Sequence, residues 1–344
     1  MASIPSKDFQ HHGTEEAAHR KFTQETINLL SSLPKQKAWM RSDYIYQYQN
    51  FWYGAVELQG VVNMQRNYKA LDSDLIVATY PKCGTTWLKA LCFSIINRYH
   101  FSTATSKQHH PLLTNNPHLL LPFLDHLYSS TDPNPDLTSC FSVNNHNRLL
   151  ATHFPLAPLA ECIKDSKCKL IYICRDPKDT FVSFWHFIAK IRTKNLENCS
   201  LEGFYEQFCE GVVEYGSFWD HVLGYWKMSL QFPERVFFLQ YEELKREPNL
   251  HVIKLAEFLG HPFSAEELES GGVVEELLKL CSFDHLSNLE VNKNGKLPVL
   301  EIGCSTFFRR GEVGDHVNYL SPAMIERLDK ITAEKFLDYG LKLG

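Results

Sequence analysis

The feature that most constrains the fold is a short apolar run followed at once by a loop of small and charged residues. Leu75–Ala78 is apolar, the segment Tyr80-Pro81-Lys82-Cys83-Gly84-Thr85-Thr86-Trp87 follows it, and an apolar pattern resumes at Leu88. This order predicts a buried strand, a tight loop and a helix. A loop at a helix N-terminus offers unpaired backbone N–H groups to an anion. The segment therefore predicts a phosphate site, with an ordinary strand–turn–helix as the alternative.

The residue types and spacing of this loop indicate which kind of phosphate site it is. Gly84 allows close approach of the backbone, Thr85 and Thr86 add hydroxyl groups, Lys82 adds a movable charge, and Trp87 offers a flat face to a purine. A Walker A loop has its lysine directly after a second glycine and a hydroxyl that holds Mg²⁺. Here the lysine precedes the only glycine of the loop. The sequence therefore predicts a phosphate loop without a metal site.

A second motif, Cys174-Arg175-Asp176-Pro177-Lys178-Asp179-Thr180-Phe181-Val182-Ser183, follows the apolar run Lys169–Ile173. Pro177 suits the first position of a helix. Arg175 and Ser183 could meet on one anion, because a guanidinium binds two phosphate oxygens at once. The alternative is an arginine that only pairs with Asp176 or Asp179.

The two motifs together resemble the 5′-phosphosulfate loop and the 3′-phosphate site of the cytosolic sulfotransferases. Three further segments follow in the order of that family: Val236–Leu244 with Tyr241, Cys281–Phe283 with Phe283, and Phe307–Asp315 with Arg309, Arg310 and Gly311. The resemblance implies that Tyr241 and Phe283 contact an adenine and that Arg309, Arg310 and Gly311 bind a 3′-phosphate. It also implies a donor, 3′-phosphoadenosine 5′-phosphosulfate, held by Lys82 to Trp87, with Cys83 at a position where the family has Ser or Thr.

The predicted fold is an α/β domain over residues 26–344, with a mobile tail at 1–25. A central parallel sheet, with strands near 74–79, 148–152, 169–174 and 235–240, is flanked by helices and carries its ligand at the strand carboxyl ends. The resemblance implies a P-loop-kinase-like fold. Periodicity predicts one helical stretch over 201–230. Loops with one short helix are predicted over 102–147, and a mobile loop over a pocket is predicted over 284–306.

The predicted catalytic residues are His153, as general base, and Lys82, which would stabilise charge that develops on the leaving group. His153 follows the run Arg148–Thr152 and so lies at a strand end, and it matches a Thr-His-x-Pro segment of the family. His109, His110 and His146 lie in polar stretches and are expected to be solvated, whereas His186 is expected to pack on a helix.

Composition predicts a cytosolic enzyme. The net charge of −5 argues against nucleic-acid binding, and no apolar run reaches the ~20 residues of a membrane span. The ten cysteines include no C-x-x-C pair and suggest free thiols in a reducing compartment.

The chain departs from the family pattern in four places: Cys83, Ala151, Arg310 and His316. The C-terminal dimer motif is incomplete, which predicts a monomer. The segments 85–91 and 313–322 look most like plant members, among which flavonol and hydroxyjasmonate sulfotransferases are most similar. The predicted partner is therefore a small-molecule hydroxyl acceptor. Candidate pocket residues are aromatic or histidine: Phe51, Trp52, Tyr53, Phe123, Trp185, His186 and Phe187. A small-molecule kinase and a nucleotide-binding relative without activity are the alternative functions.

Overall fold

The architecture was analysed in a computed structural model, which describes residues 22–39, 43–102, 104–132, 134–140, 147–191, 200–269, 272–297 and 302–343. The central sheet has four parallel strands in the order β5-β4-β6-β7. A small antiparallel sheet, β1-β2-β3, and a two-stranded ribbon, β8-β9, complete the β structure of these ranges. The strands are β1 Lys35–Lys37, β2 Tyr44–Tyr48, β3 Phe51–Gly54, β4 Asp74–Thr79, β5 Arg148–Thr152, β6 Lys169–Cys174, β7 Val236–Gln240, β8 Lys296–Leu297 and β9 Ile302–Gly303.

Helices cover the sheet on both faces, and short 3₁₀ turns join several of them. The helices are α1 Gln24–Ser32, α2 Ala55–Asn67, α3 Thr85–Asn97, α4 Ala104–Lys107, α5 Pro117–Leu120, α6 Leu124–Leu127, α7 Leu156–Ile163, α8 Pro177–Ile191, α9 Leu201–Glu210, α10 Phe218–Gln231, α11 Tyr241–Arg246, α12 Pro248–Leu259, α13 Ala265–Glu269, α14 Val273–Leu280, α15 Phe283–Asn288, α16 Glu290–Asn294 and α17 Pro322–Phe336. The 3₁₀ turns include Cys304–Phe307 and Asp315–Asn318.

The two faces of the sheet bury two separate apolar clusters. On β4, Ile76 and Ala78 point into one cluster, while Leu75 and Val77 point into the other. This alternation follows from the two-residue period of a strand, and burial on both faces explains why the strand reads as a continuous apolar run. The predicted α/β class and the four central strands are confirmed.

Three predictions outside the sheet are wrong in detail. The stretch 201–230 forms two helices rather than one, because α9 ends at Glu210 and Gly211 follows it with φ of +76°, a backbone conformation that residues other than glycine rarely adopt. The described residues of the stretch 102–147, which leave out 103, 133 and 141–146, include three short helices, α4 to α6, rather than one. In the stretch 284–306, α15, α16 and the β8-β9 ribbon replace the expected loop, and residues 298–301 lie outside the described residues.

The N-terminal tail predicted at 1–25 falls mostly on residues 1–21, which lie outside the described residues. Helix α1 begins at Gln24 and so overlaps the predicted segment by two residues.

Candidate active site

The residues singled out from the sequence lie where the strands of the central sheet end. The Tyr80–Trp87 segment follows β4, His153 follows β5, Arg175 follows β6, and Tyr241 follows β7. Because the four strands are parallel, their carboxyl ends lie at one edge of the sheet, which is where open α/β sheets bind ligands.

The loop after β4 is shaped by two left-handed backbone positions. Lys82 has φ of +71° and Gly84 has φ of +105°, directly before α3 begins at Thr85. A Cβ atom at Gly84 would lie 2.8 Å from a ring carbon of Tyr241. Glycine is therefore required there by both the backbone conformation and the packing of Tyr241.

The Lys82 side chain is half-buried and faces aromatic rings. Its Nζ lies 4.2 Å from the ring centroid of Phe187 and 5.8 Å from that of Phe307. Burial, followed by the positive charges of Lys190, Arg309 and Arg175, lowers the pKa of Lys82 to about 7. Within the part of the chain that the structure describes, no carboxylate pairs with it. An anion placed near this amine would raise its pKa again and favour its protonated, positively charged form.

The Cys83 side chain points into the protein core rather than toward the surface of the loop. Its side chain is fully buried in the core, with Sγ 3.6 Å from Oγ1 of Thr180 on α8. Burial raises the pKa of this thiol to about 12. Its backbone N–H points to the carbonyl of Tyr80 at 3.4 Å. The cysteine therefore acts as a small apolar side chain that packs the loop against α8.

Each of the two threonines that begin α3 is connected to one histidine. Thr85 Oγ1 lies 2.7 Å from Thr79 Oγ1, which lies 3.1 Å from Nδ1 of His153. Thr86 Oγ1 lies 3.0 Å from Nε2 of His118. The loop after β4 is thus hydrogen-bonded to His153 and to His118 through two separate sets of contacts.

His153 is held in one tautomer by the end of β4. Its Nδ1 lies 2.8 Å from the carbonyl oxygen of Thr79. Because a carbonyl only accepts, Nδ1 carries the hydrogen, and Nε2 is left with a lone pair. Burial lowers the pKa of His153 well below its usual value. The imidazole is therefore neutral at neutral pH, as a general base must be.

The backbone around His153 is fixed by a buried carboxylate that the sequence did not single out. Asp125, on α6, accepts the backbone N–H of His153 at 3.1 Å and the hydroxyl of Thr152 at 2.8 Å. Tyr215 also hydrogen-bonds to it. Burial raises the pKa of Asp125 to about 6. On the other side, His221 donates from Nε2 to the carbonyl of His153 at 3.0 Å.

Lys89 is a second buried group that the sequence did not single out. It is fully buried on α3, and its Nζ donates to the carbonyl of Leu121 at 2.8 Å, over the ring of Phe123. Burial lowers the pKa of Lys89 well below its usual value. The amine ties α3 to the segment that carries Phe123, whose ring centroid lies 4.7 Å from that of His153.

The arginines of the second motif and of the C-terminal motif are paired with carboxylates. Arg175 Nη2 lies 3.1 Å from Asp179 Oδ2, and the same nitrogen donates to the carbonyl of Glu312. Arg309 pairs with Asp315, whose Oδ1 lies 2.7 Å from Nη1 of Arg310. Among the described residues, the buried Nε atoms of Arg175 and Arg309 find no hydrogen-bond partner. Unpaired buried N–H groups of this kind fit a phosphate, which supplies acceptors.

Asp179 joins the second motif to the C-terminal one. It accepts the backbone N–H of Gly314 at 2.7 Å and that of His316 at 3.0 Å. His316 Nδ1 lies 3.0 Å from the same carboxylate. Burial alone would raise the pKa of Asp179, but Arg175 and these hydrogen bonds lower it below its usual value. Ser183 is buried further along the same helix.

The residues expected to contact adenine, Trp87, Tyr241 and Phe283, are connected by direct packing and through Gly311. The rings of Trp87 and Tyr241 lie 5.7 Å apart, and the Tyr241 hydroxyl donates to the carbonyl of Gly311 at 2.9 Å. A Cβ atom at Gly311 would lie 2.6 Å from the ring of Phe283, and φ of Gly311 is +66°. Gly311 thus lets Phe283 and the C-terminal motif approach each other closely.

The aromatic pocket candidates divide into groups. Phe123 lies against His153, and Phe187 lies against Lys82. Trp52 belongs to a small separate cluster with Ala38 and Ile45. The remaining candidates pack elsewhere in the aromatic core: Phe51 on His221, Tyr53 on Phe154 and Tyr215, and Trp185 and His186 on Tyr319.

Outside the aromatic set, one expectation about the described histidines is wrong, while His146, also expected to be solvated, lies outside the described residues. His110 is buried, and its Nδ1 accepts the backbone N–H of Leu112 at 3.2 Å. In the described ranges, no group of three or more His, Cys, Asp or Glu side chains has the arrangement of a metal site. None of the helices described combines the length and apolar character that crossing a bilayer requires.

Comparisons with known proteins give one consistent family. The sequence pattern described as "Sulfotransferase domain" matches residues 72–340. Cytosolic sulfotransferase 6 of Arabidopsis thaliana is 46% identical over 322 residues, covering 94% of this chain and 96% of that protein. The crystal structure of an Arabidopsis thaliana sulphotransferase is 37% identical, with a TM-score of 0.71 and coverage of 99% of this chain and 100% of that chain. Mouse sulfotransferase SULT7A1, complexed with PAP, shares the fold at 24% identity and a TM-score of 0.62, covering 86% of this chain and 95% of that one.

Proposed function

This chain belongs to the plant cytosolic sulfotransferase family and uses 3′-phosphoadenosine 5′-phosphosulfate as donor, and we propose that it transfers the sulfuryl group to a hydroxyl of a small-molecule acceptor, with His153 as base. A flavonol or a hydroxyjasmonate is the proposed acceptor. The observation that carries the proposal is the tautomer of His153, whose Nδ1 is committed to the carbonyl of Thr79 at 2.8 Å. Its Nε2 is thereby free to accept a proton.

His153 takes the proton of the acceptor hydroxyl through Nε2 as that oxygen attacks sulfur. The donor supplies an activated sulfuryl group and leaves as adenosine 3′,5′-bisphosphate. The imidazolium that forms is stabilised through its Nδ1–H bond to Thr79. Asp125 keeps the ring in place by holding the backbone N–H of His153. This arrangement supports proton abstraction by a neutral, oriented imidazole.

Lys82 acts on the leaving side. As the S–O bond breaks, negative charge develops on the bridging oxygen and the 5′-phosphate. An ammonium that is half-buried against Phe187, without a carboxylate partner among the described residues, stabilises that charge more strongly than a solvated one would. Thr85, Thr86 and the N–H groups at the start of α3 bind the 5′-phosphate in the proposed complex.

The 3′-phosphate is held in this proposal by Arg175, Ser183, Arg309, Arg310 and Gly311. The unpaired Nε atoms of Arg175 and Arg309 support it, because both are buried and lack an acceptor within the described ranges. Trp87, Tyr241 and Phe283 surround the adenine, and their mutual packing through Gly311 supports this assignment. We further propose that the protein is a monomer and that residues 26–344 form one domain.

Two measurements test the proposal. Purified protein is incubated with the labelled donor and a panel of phenols, flavonols, hydroxyjasmonates and aliphatic alcohols, and sulfated products are identified by mass spectrometry. Titration calorimetry then compares adenosine 3′,5′-bisphosphate with ATP-Mg. We expect a sulfated flavonol or hydroxyjasmonate and tight binding of the bisphosphate alone. Binding of the bisphosphate without any sulfated product would favour the inactive nucleotide-binding relative, and preference for ATP-Mg would favour a kinase.

A further inference from the structure

His316 is one of the four positions at which the chain departs from the family pattern, and the proposed function assigns it no role. It belongs to the 3₁₀ turn Asp315–Asn318, directly after Gly314, whose φ is +82°. The His316 side chain is only 14% exposed. Its imidazole is therefore turned into the protein, at the end of the motif that carries Arg309 and Arg310.

His316 makes two hydrogen bonds to one oxygen of Asp179. Its backbone N–H donates to Oδ1 at 3.0 Å, and its Nδ1 lies 3.0 Å from the same oxygen. The side chain of Asp179 is completely buried on α8. Since the Asp179 carboxylate pairs with Arg175 and only accepts, Nδ1 of His316 carries a hydrogen.

The other oxygen of Asp179 belongs to a different set of donors. Oδ2 accepts from Nη2 of Arg175 at 3.1 Å and from the backbone N–H of Gly314 at 2.7 Å. The terminal torsion of an aspartate is soft, so a carboxylate rotates readily unless its oxygens are held. Two donors from His316 on Oδ1 fix that rotation and leave Oδ2 to Arg175 and Gly314. The orientation of Arg175 thus depends on Asp179, and that of Asp179 depends on His316.

The guanidinium of Arg175 is held from two sides. Its Nη2 donates to Asp179 and to the carbonyl of Glu312, and its Cζ lies 4.6 Å from the ring centroid of Tyr241. Its Nε is buried and has no hydrogen-bond partner within the described ranges. An arginine held in this way presents the Nε–H in one direction, as a charge-assisted hydrogen bond to a phosphate requires.

The turn that contains His316 also carries the carboxylate that orients the other two arginines. Asp315, the residue before His316, pairs with Arg309 and with Arg310. Asp179 accepts backbone N–H groups at the start of this turn and so attaches it to α8. One carboxylate, held by His316, therefore connects both arginine motifs of the proposed 3′-phosphate site.

We propose that His316 is a positioning residue for the 3′-phosphate: by fixing Asp179 it orients Arg175 and holds the C-terminal motif against α8, so that the protein distinguishes nucleotides with a 3′-phosphate from those without. This inference rests on the proposed function, which assigns that phosphate to the two arginine motifs. His316 acts through Asp179 and does not itself contact the nucleotide. A guanidinium that is oriented before binding loses less conformational freedom when the phosphate arrives, which raises affinity.

The test compares two substitutions at position 316 with the same substitutions at an exposed histidine. His316→Phe keeps a ring and removes the Nδ1 donor. His316→Asn keeps a donor, because the Nδ2 of an asparagine is as many bonds from the backbone as the Nδ1 of a histidine. His109→Phe and His109→Asn serve as controls. Calorimetry measures the affinity of each protein for adenosine 3′,5′-bisphosphate and for adenosine 5′-monophosphate, and thermal unfolding without nucleotide verifies the fold.

We expect His316→Phe to bind the bisphosphate about threefold to tenfold more weakly than wild type, a change on the order of one hydrogen bond, and to bind the monophosphate as wild type does. His316→Asn should recover most of the loss, and the His109 variants should match wild type. In steady-state kinetics, His316→Phe should raise the KM for the donor and leave kcat near the wild-type value. Equal losses for the two nucleotides would show a general loss of structure and would overturn the inference.

Failure of the proposed function has a different signature. The two nucleotides bind without turnover, so a protein that sulfates no acceptor still tests His316. A preference for the bisphosphate that falls in His316→Phe and returns in His316→Asn would support the inference in that case too. Equal binding of the two nucleotides by wild type would reject the 3′-phosphate site together with the inference. A wild-type preference that His316→Phe leaves intact would reject the inference alone.

Discussion

The two ends of the proposed nucleotide site handle charge differently. The transfer end consists of Lys82, Thr85, Thr86, His118 and His153, and the anchoring end consists of Arg175, Ser183, Arg309 and Arg310. At the anchoring end, the permanently charged guanidinium groups are paired with Asp179 and Asp315. At the transfer end, burial lowers the pKa of Lys82 to about 7 and keeps both imidazoles neutral.

This difference suggests a division of labour. Guanidinium groups oriented by carboxylates provide a fixed site that binds a phosphate equally before and during the reaction, which gives affinity but no acceleration. Groups that can gain or lose a proton during the reaction can stabilise the charge that develops in the transition state. Changes at the transfer end should therefore alter kcat, and changes at the anchoring end should alter donor affinity.

The largest expected effect is at His153. His153→Ala should lower kcat for an aliphatic alcohol by roughly a hundredfold to ten-thousandfold, the contribution of a positioned general base. An acidic phenol, partly ionised on its own, should retain more activity. Donor affinity, measured by calorimetry, should stay near the wild-type value because the anchoring end is untouched.

The matched control for His153 is His109→Gln, an exposed histidine on the same chain. Wild-type turnover of the alcohol by His153→Ala would assign the base to another residue, with His118 as the first to examine. A parallel loss of donor binding would instead indicate a structural role for His153.

A second prediction concerns Lys82. Lys82→Met should lower kcat by about a hundredfold to a thousandfold, as removal of one preorganised group that stabilises developing charge does. Binding of adenosine 3′,5′-bisphosphate should weaken far less. Single-turnover kinetics separate the two effects. Lys330→Met, on the exposed face of α17, provides the control. A normal kcat in Lys82→Met would remove the lysine from the mechanism and abolish the contrast between the two ends.

The anchoring end should show its effect in affinity. The wild type should bind adenosine 3′,5′-bisphosphate about tenfold to a hundredfold more tightly than adenosine 5′-monophosphate, as expected for charge-assisted contacts to the 3′-phosphate. Arg310→Met should reduce that ratio with little change in kcat, because Arg309 still pairs with Asp315. Arg327→Met, which removes a surface pair with Glu206, is the control. Equal binding of the two nucleotides would contradict the assignment of Arg175, Ser183, Arg309 and Arg310.

The sequence predicted the sheet and the donor side because both are encoded locally. Each predicted strand is a continuous apolar run, and Lys82, His153, Arg175 and Tyr241 each follow such a run closely. Parallel strands bring those positions to one edge, so that a strand prediction is already a site prediction.

The groups that support the transfer end were not predictable in that way. His118 and Asp125 lie on four-residue helices, which are too short for a periodic pattern. Lys89 looks like a solvated lysine in the sequence, and only the structure shows that residues 88–97 of α3, on both sides of it, are buried. Cys83 points into the core next to Lys82, whose backbone is left-handed. A lysine rarely adopts that conformation, so the sequence does not suggest it.

The smallest expected effect is a pH dependence of donor binding that comes from Lys82. Free Lys82 has a pKa of about 7, and bound phosphates raise it, so the complex holds a proton that the free enzyme has lost above neutral pH. Below pH 7 both forms are protonated and affinity should not change through this group. Above it, binding must take up a proton, so the affinity for adenosine 3′,5′-bisphosphate should fall by up to about tenfold per pH unit.

The 3′-phosphate, with a second pKa of about 6, is already ionised above pH 7 and does not contribute to this change. Calorimetry at about pH 8 in two buffers of different ionisation enthalpy measures the uptake, which should approach one proton in wild type and vanish in Lys82→Met. Proton uptake that persists in Lys82→Met would place the titrating group elsewhere.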